Sequence, residues 1–377
     1  MTSRPPLSRI LPLATGVALA TMPAQANPLS FTNDSGGTVT FYGQFSPSWL
    51  HFDDGDETYD NLVDNTHSNT RLGFTFEQDL ANGQNLLFRF ETGLAIPGSG
   101  GFSQRDDDPD WVWEKTDLRF IDLAWSGGFG TFSIGQGSMA TDGVTGNDFS
   151  GTTLVSTVTT ADTAGSYFFR EDDGGGLSDI ALKSAFATFD GDRKGRIRYD
   201  TPSWNGFSLA VGYGTDVLKD YWDNTYYDIA ATYRGEFSDV KLAGGIGYAW
   251  VDYDDSDDTG ESWAGSVSAL HGATGLNGSL AVGAQKDGGH YTYGKIGWIT
   301  GIWNFGATAF SADYYYGEDF GHDGSESKQW GLQAAQSFDD WNLEAFVGYA
   351  NYSFDGDDGS PDYQDASSVM TGLRWKF

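Results

Sequence analysis

Four arginines are placed where fixed positive charge can act on a neighbouring solute. Arg71 stands at opposite parity to Leu72, Phe74 and Phe76, Arg89 lies between Phe88 and Phe90, and Arg196 and Arg198 flank Ile197 ahead of Tyr199. Successive side chains alternate across a strand, so each guanidinium falls on the face away from the apolar and aromatic side chains. The chemistry this permits is attraction and orientation of polar groups; bond breaking would need a nucleophile, base or metal as well.

Those further groups do not assemble. The chain has no cysteine and five scattered histidines without metal-ligand spacing, and neither a nucleophile elbow nor a phosphate loop is present. His67-Ser68-Asn69 is similar to the active-site triplet of an outer-membrane phospholipase, with no second element to support it. Acid runs such as Asp252-Tyr253-Asp254-Asp255-Ser256-Asp257-Asp258 offer oxygen to weakly bound Ca²⁺, but none follows an EF-hand spacing. No metal site and no other cofactor is expected.

Strands of about ten residues with period-two patterning position the arginines. Residues 1–26 read as a cleaved export signal, with Arg4 and Arg9, an apolar run from Ile10 to Met22, and Ala24-Gln25-Ala26 before Asn27. Residues 27–377 show no linker and form one domain. Asn82-Gly83 marks a hairpin, as do the turns around Ser126–Gly130, Ser203–Gly206, Ser238-Asp239 and Asp339-Asp340. These short turns follow every second strand, and the acidic stretches fall between them. Alternation slips near Arg119 and Phe120, which leaves the face of Arg119 unassigned. The connection from Ser138 to about Asp192 is far longer than the others, and a loop of that length has a function or its own packing. The last strand places Val369, Thr371, Leu373, Trp375 and Phe377 on one parity and ends on the bare aromatic.

The count is about sixteen strands, all antiparallel. A mean hydropathy of −0.40 beside 15% aromatic residues suits strands with one greasy and one wet face. Lipid satisfies no exposed backbone polar group, so such a sheet crosses a membrane only when closed on itself. Sixteen strands about 4.8 Å apart and tilted about 40° enclose a barrel about 32 Å across, too wide for side chains to fill. Loss of the leader's two arginines takes the formal charge from −32 to −34, a balance that repels nucleic acid.

The terminal aromatic strand, Arg71-Leu72-Gly73-Phe74, and Arg196-Ile197-Arg198-Tyr199-Asp200-Thr201-Pro202 with Gly206-Phe207 together resemble the general porins of Gram-negative outer membranes, most closely the alphaproteobacterial kind. The resemblance covers residues 38–377. It implies a transmembrane up-and-down β-barrel in the outer membrane, a homotrimer, and a third extracellular loop, here 138–192, folded inward as a constriction. The basic wall would be Arg71, Arg89, Arg196 and Arg198. The acidic loop side would draw on Asp142, Asp148, Asp162, Glu171, Asp172 and Asp173. Trp375 and Phe377 would be the signal read by the barrel-assembly machinery. Where the family often has Gly-Arg-Gln after the fifth strand, this chain has Gly135-Gln136-Gly137, which implies one wall charge fewer.

The implied function is passive diffusion of small hydrophilic solutes and ions through a transverse field, with a mild cation preference that weakens at high salt. A substrate-specific sugar channel is the alternative within that fold. A secreted, Ca²⁺-stabilised β-sandwich adhesin is the alternative outside it, and no enzyme is expected.

Overall fold

A computed structural model describes residues 29–377 except 173, 175, 221, 222, 255, 257, 287, 321 and 358, so the proposed leader lies outside the described residues. The barrel strands, in chain order, are Thr38–Phe45 with Pro47–Asp53 (first), Thr58–Asp64 with Arg71–Asp79 (second), Asn85–Gly93, Leu118–Gly127, Gly130–Ser138, Arg193–Asp200, Phe207–Thr215, Thr225–Phe237, Val240–Asp252, Thr259–His271, Leu276–Gln285, His290–Trp303, Gly306–Glu318, Glu326–Phe338, Leu343–Asp355 and Ala366–Lys376 (sixteenth). Each pairs antiparallel with the next. The sixteenth returns to the first through Gln44↔Lys376, Phe45↔Trp375 and the run Ser48↔Gly372 to Asp53↔Ser367, which closes the sheet.

The first two strands are interrupted at the same height. Pro47 has no N–H to give the ladder, and the adjoining Ser46 N–H donates instead to the Thr70 hydroxyl at 2.9 Å. Opposite it, residues 66–68 form one turn of 3₁₀ helix whose Asn65 side chain accepts the Ser68 N–H. Asp64 closes the break by accepting the Thr70 N–H and hydroxyl at 2.7 and 2.6 Å. A short N-terminal strand, Leu29–Thr32, adds to the free edge of Thr38–Phe41 below the point where the sixteenth strand ends.

The pattern slip at Arg119 is a β-bulge. Glu91 pairs with Phe120 and Thr92 with Leu118, so Arg119 is the extra residue on the bulged strand. The fourth strand begins at Leu118, after a 3₁₀ turn at Lys115–Asp117. Thr58–Asp64 continue the second strand despite their acids, and the twelfth strand runs on to Trp303.

Outward positions are apolar, as lipid contact demands: Phe207, Leu209, Val211 and Tyr213 are all exposed, while Ala210 between them is buried. Trp49, Trp250, Trp298 and Trp341 are exposed too, and fit interfacial anchoring. The inside divides in two. Leu154, Val155, Tyr167, Phe169, Leu182 and Phe186 of the long loop form one buried cluster with Leu50, Phe52, Tyr291, Tyr315, Tyr352, Phe354 and Met370 of the wall. Rings interlock there, with Phe52 stacked on Tyr167 at 4.0 Å and Phe186 set edge-on to Tyr315 and Tyr352. The loop carries its own two-stranded hairpin, Phe168–Arg170 with Leu177–Ala181, and a one-turn helix Leu182–Ala185. It is packed structure, fastened to the twelfth through sixteenth strands and the first.

Candidate functional site

The wall facing the other side of the loop is built of cations that bring their own anions. Arg89 makes a two-pronged contact with Asp122 at 3.2 and 3.1 Å, and Arg196 donates to the same carboxylate at 2.7 Å. Arg119 donates to Glu91 at 2.6 Å, Arg71 stands 3.6 Å from that carboxylate, and Tyr42 donates to its other oxygen. Arg198 pairs with Asp200 and donates to the Met139 carbonyl at 2.6 Å. The wall is therefore an alternating lattice whose net charge is far smaller than its arginines suggest.

Two glycines make room for it. A side chain on Gly135, which sits at φ +117°, would put its Cβ 2.4 Å from the Ile121 carbonyl oxygen; one on Gly137 would put its Cβ 2.7 Å from the Arg196 guanidinium. That crowding accounts for glycine at positions 135 and 137.

The loop's root and middle are tied down by buried polar groups. Asp228 accepts the Thr141 N–H and hydroxyl where the loop leaves the fifth strand. Lys295, almost fully buried, donates to Asp148 and to the Ser156 carbonyl, each at 2.9 Å. Asp313 accepts from Ser156, Tyr293, Gln329 and Gln333. His67 is buried under the loop, its Nε2 2.9 Å from Thr163 Oγ1 and its Nδ1 3.3 Å from Thr157 Oγ1. Ser68 beside it accepts from Gln44 and Arg374. The His67-Ser68-Asn69 triplet thus holds the break in the second strand against the loop.

Between loop and wall lies open space. A cavity of about 680 Å³ is lined by Asp64, Asn69 and Arg119 of the wall and by Asp162, Lys183 and Phe186 of the loop. A second, of about 200 Å³, shares Asn69 and Arg119 and adds Gln136, Arg193, Lys194 and Asp216. The enclosed position of Asp162 pushes its carboxyl up to about 7. Burial, and then the charge of Asp142, push Asp190 up to about 7, against the stabilising N–H groups of Thr145 and Gly143.

The six loop acids named from the sequence disperse. Asp162 lines the larger cavity, and Asp142 stands near Asp190 at the loop root. Asp148 is consumed by Lys295 on the packed side. Glu171 bridges to Tyr363, and Asp172 donates its N–H to the Asp362 carbonyl, so both sit against the last extracellular loop. Asp173 lies outside the described residues. Sequence reasoning passed over Arg193 and Lys183, and the counter-ions Glu91 and Asp122. Glu91 was legible as an inward partner of Arg89 on its own strand, whereas Arg193 heads the sixth strand on the parity of Ile197 and Tyr199, which concealed it, and Lys183 belongs to no alternating run.

A profile of the Gram-negative porin family matches residues 12–357. No curated protein matches in sequence. Among solved structures, the anion-selective porin from Comamonas acidovorans superposes with a TM-score of 0.59 at 17% identity, over 90% of this chain and 100% of that one. OprB of Pseudomonas putida gives 0.57 at 10% identity, over 90% and 94%. OmpF of Salmonella typhi, solved with daunomycin, gives 0.55 at 16%, over 93% and 100%. At these identities the likeness is one of fold.

Proposed function

The chain belongs to the Gram-negative porin family, and on that premise we propose that it conducts small hydrophilic solutes and ions by passive diffusion, with a mild preference for cations. It is an outer-membrane channel protein with a closed barrel; the solute range and the charge preference are the proposal. The observation that carries it is the cavity of about 680 Å³ between the inward loop and the wall, lined by charged side chains of both signs. Opposed charges across a narrow, partly desolvated passage orient dipolar solutes and disfavour long apolar ones.

The cation preference rests on the mouths. The chain carries 53 acidic against 21 basic residues, and the cavity side of the loop adds Asp162. Anionic vestibules raise local cation concentration within about 8 Å at physiological salt. Residues 138–192 serve as the constriction loop in this reading. The assembly is a homotrimer, and the outward Phe41, Phe74, Phe88 and Phe90 cluster on the first three strands fits burial against a neighbouring copy. Trp375 and Phe377 present the terminal strand to the assembly machinery, and Phe377 and Gly43 exchange backbone hydrogen bonds at 3.0 and 3.1 Å.

Planar-bilayer recording tests the reading directly. Stepwise ohmic conductance with a reversal potential of cation-selective sign in a KCl gradient is expected. A membrane that stays insulating, or solute block at micromolar concentration as a dedicated sugar channel would show, overturns general diffusion.

A further inference from the structure

The charges that sort solutes are those the protein has not already neutralised. Arg89 and Arg196 share Asp122, Arg71 and Arg119 share Glu91, and Arg198 holds Asp200. An arginine matched one to one by an acid, as Arg198 is, projects only a dipole, whereas a single charge acts across about a Debye length, roughly 8 Å; the four arginines on Asp122 and Glu91 keep half of their charge, spread over two hydrogen-bonded clusters. Lys194 and Lys219 on the smaller lining are tied to Asp216, and among the described residues Arg193 and Lys183 on the linings stand outside ion pairs. Among the described residues Arg193 has no acid within ion-pair distance, and Asp142, Asp192 and Glu91 attract it only from farther off; its Nε is buried without a hydrogen-bond partner, and its guanidinium stands 5.3 Å from the Phe120 ring. Lys183 is exposed, and the contact of its ammonium is a 3.4 Å donation to the Ser166 hydroxyl.

Both are held in place. Arg193 opens the sixth strand, paired to Ser138. Lys183 rides the loop's short helix, which is fixed by the Leu182 and Lys183 N–H groups donating to the Tyr167 and Gly165 carbonyls at 2.8 Å. Arg193 lines the smaller cavity and Lys183 the larger, and these adjoin through Asn69 and Arg119. Asp162 shares the larger lining with Lys183, so a solute there meets one cation and one carboxyl on the same loop.

We infer that Arg193 and Lys183, more than the five wall arginines that hold or share an acid, set the charge selectivity of this channel and receive the carboxylate or phosphate end of a passing solute. The inference rests on the channel reading above. In its terms, the wall arginines chiefly hold the barrel and loop in shape. Arg193 and Lys183 lower the cation preference that the acidic mouths create, and removing them releases it.

The test is the reversal potential of purified wild-type and variant protein in a tenfold KCl gradient, with folding checked by heat-modifiable migration. The R193Q/K183Q double variant should raise the cation-to-anion permeability ratio about threefold or more, each single variant giving part of it. The charge-keeping R193K/K183R should restore the ratio to within about 1.5-fold of wild type. R198Q/D200N, which removes a matched pair together, should shift it less than R193Q does. R193Q/K183Q channels that conduct with the wild-type reversal potential overturn this inference while leaving the channel reading intact, as does a larger shift from R198Q/D200N than from R193Q. A wild-type protein that carries no current overturns both.

Discussion

Inward positions on the twelfth to sixteenth strands carry Tyr291, Tyr315, Tyr352 and Phe354, while those on the third to sixth carry Arg89, Glu91, Asp122, Arg196 and Arg198. The two sets occupy the same kind of site in one barrel, and what differs is the neighbour. Where the loop lies against the wall, apolar burial at about 25 cal/mol per Å² fastens it. Where it stands off, the wall must face water and does so with paired charge. A loop with an apolar underside and a polar upper side thus creates the asymmetry, and the passage runs along one side of the barrel.

The contrast breaks most visibly at Phe186. Phe186→Ala removes a ring that touches Phe169, Tyr315 and Tyr352 and should loosen the loop by about 3–4 kcal/mol. Protease cleavage within 138–192 while the barrel stays intact, together with a severalfold larger conductance, is the expected result. On the charged side, Asp122→Asn strips both Arg89 and Arg196 of their carboxylate. Breaking a buried pair costs about 3 kcal/mol, so a lower temperature of gel-shift unfolding should accompany a reversal potential moved toward anions.

Acidity gives a third, smaller effect. Asp162 and Asp190 are pushed up to about 7, so each is largely neutral at pH 6 and charged at pH 8. The cation-to-anion ratio should rise about twofold over that interval in bilayer recordings. The same displacement has a stability sign. A carboxyl raised from 3.8 contributes stability in full below that value, and the contribution is lost as pH climbs through about 7. The loop should therefore resist protease better at pH 5 than at pH 8. Asp172→Asn should change least, since Asp172 sits against Asp362 on the last loop and is on neither cavity lining; a reversal potential moved beyond about 5 mV would place it at the passage after all.

How far the sequence carried differs between the two halves. Strand number, the alternating long and short connections and the outward aromatics were all legible, because a lipid-facing strand must keep strict two-residue alternation. The slip at Arg119 was legible as a slip, and only pairing of Glu91 with Phe120 reveals it as a bulge. The packed interior was harder to see: a wet inner face was expected throughout, yet Tyr315 puts an aromatic ring on the inward parity between Tyr314 and Tyr316 and is fully buried there, while Tyr314 is exposed. Asp148 could not be told from Asp162 by type or spacing; only the reach of Lys295 across the barrel separates an anchor from a lining group.

The four residues Leu29–Thr32 answer a problem that closure alone leaves behind. The tilt that shuts the sheet staggers its two ends, so the sixteenth strand stops before it covers Thr38–Phe41. Bare ladder groups there would be a template for any extended segment in the periplasm. By laying Leu29 against Phe41 and Thr32 against Thr38, this short strand gives the sheet its own selvedge, finishing the fabric where it would otherwise fray into cross-linked aggregates.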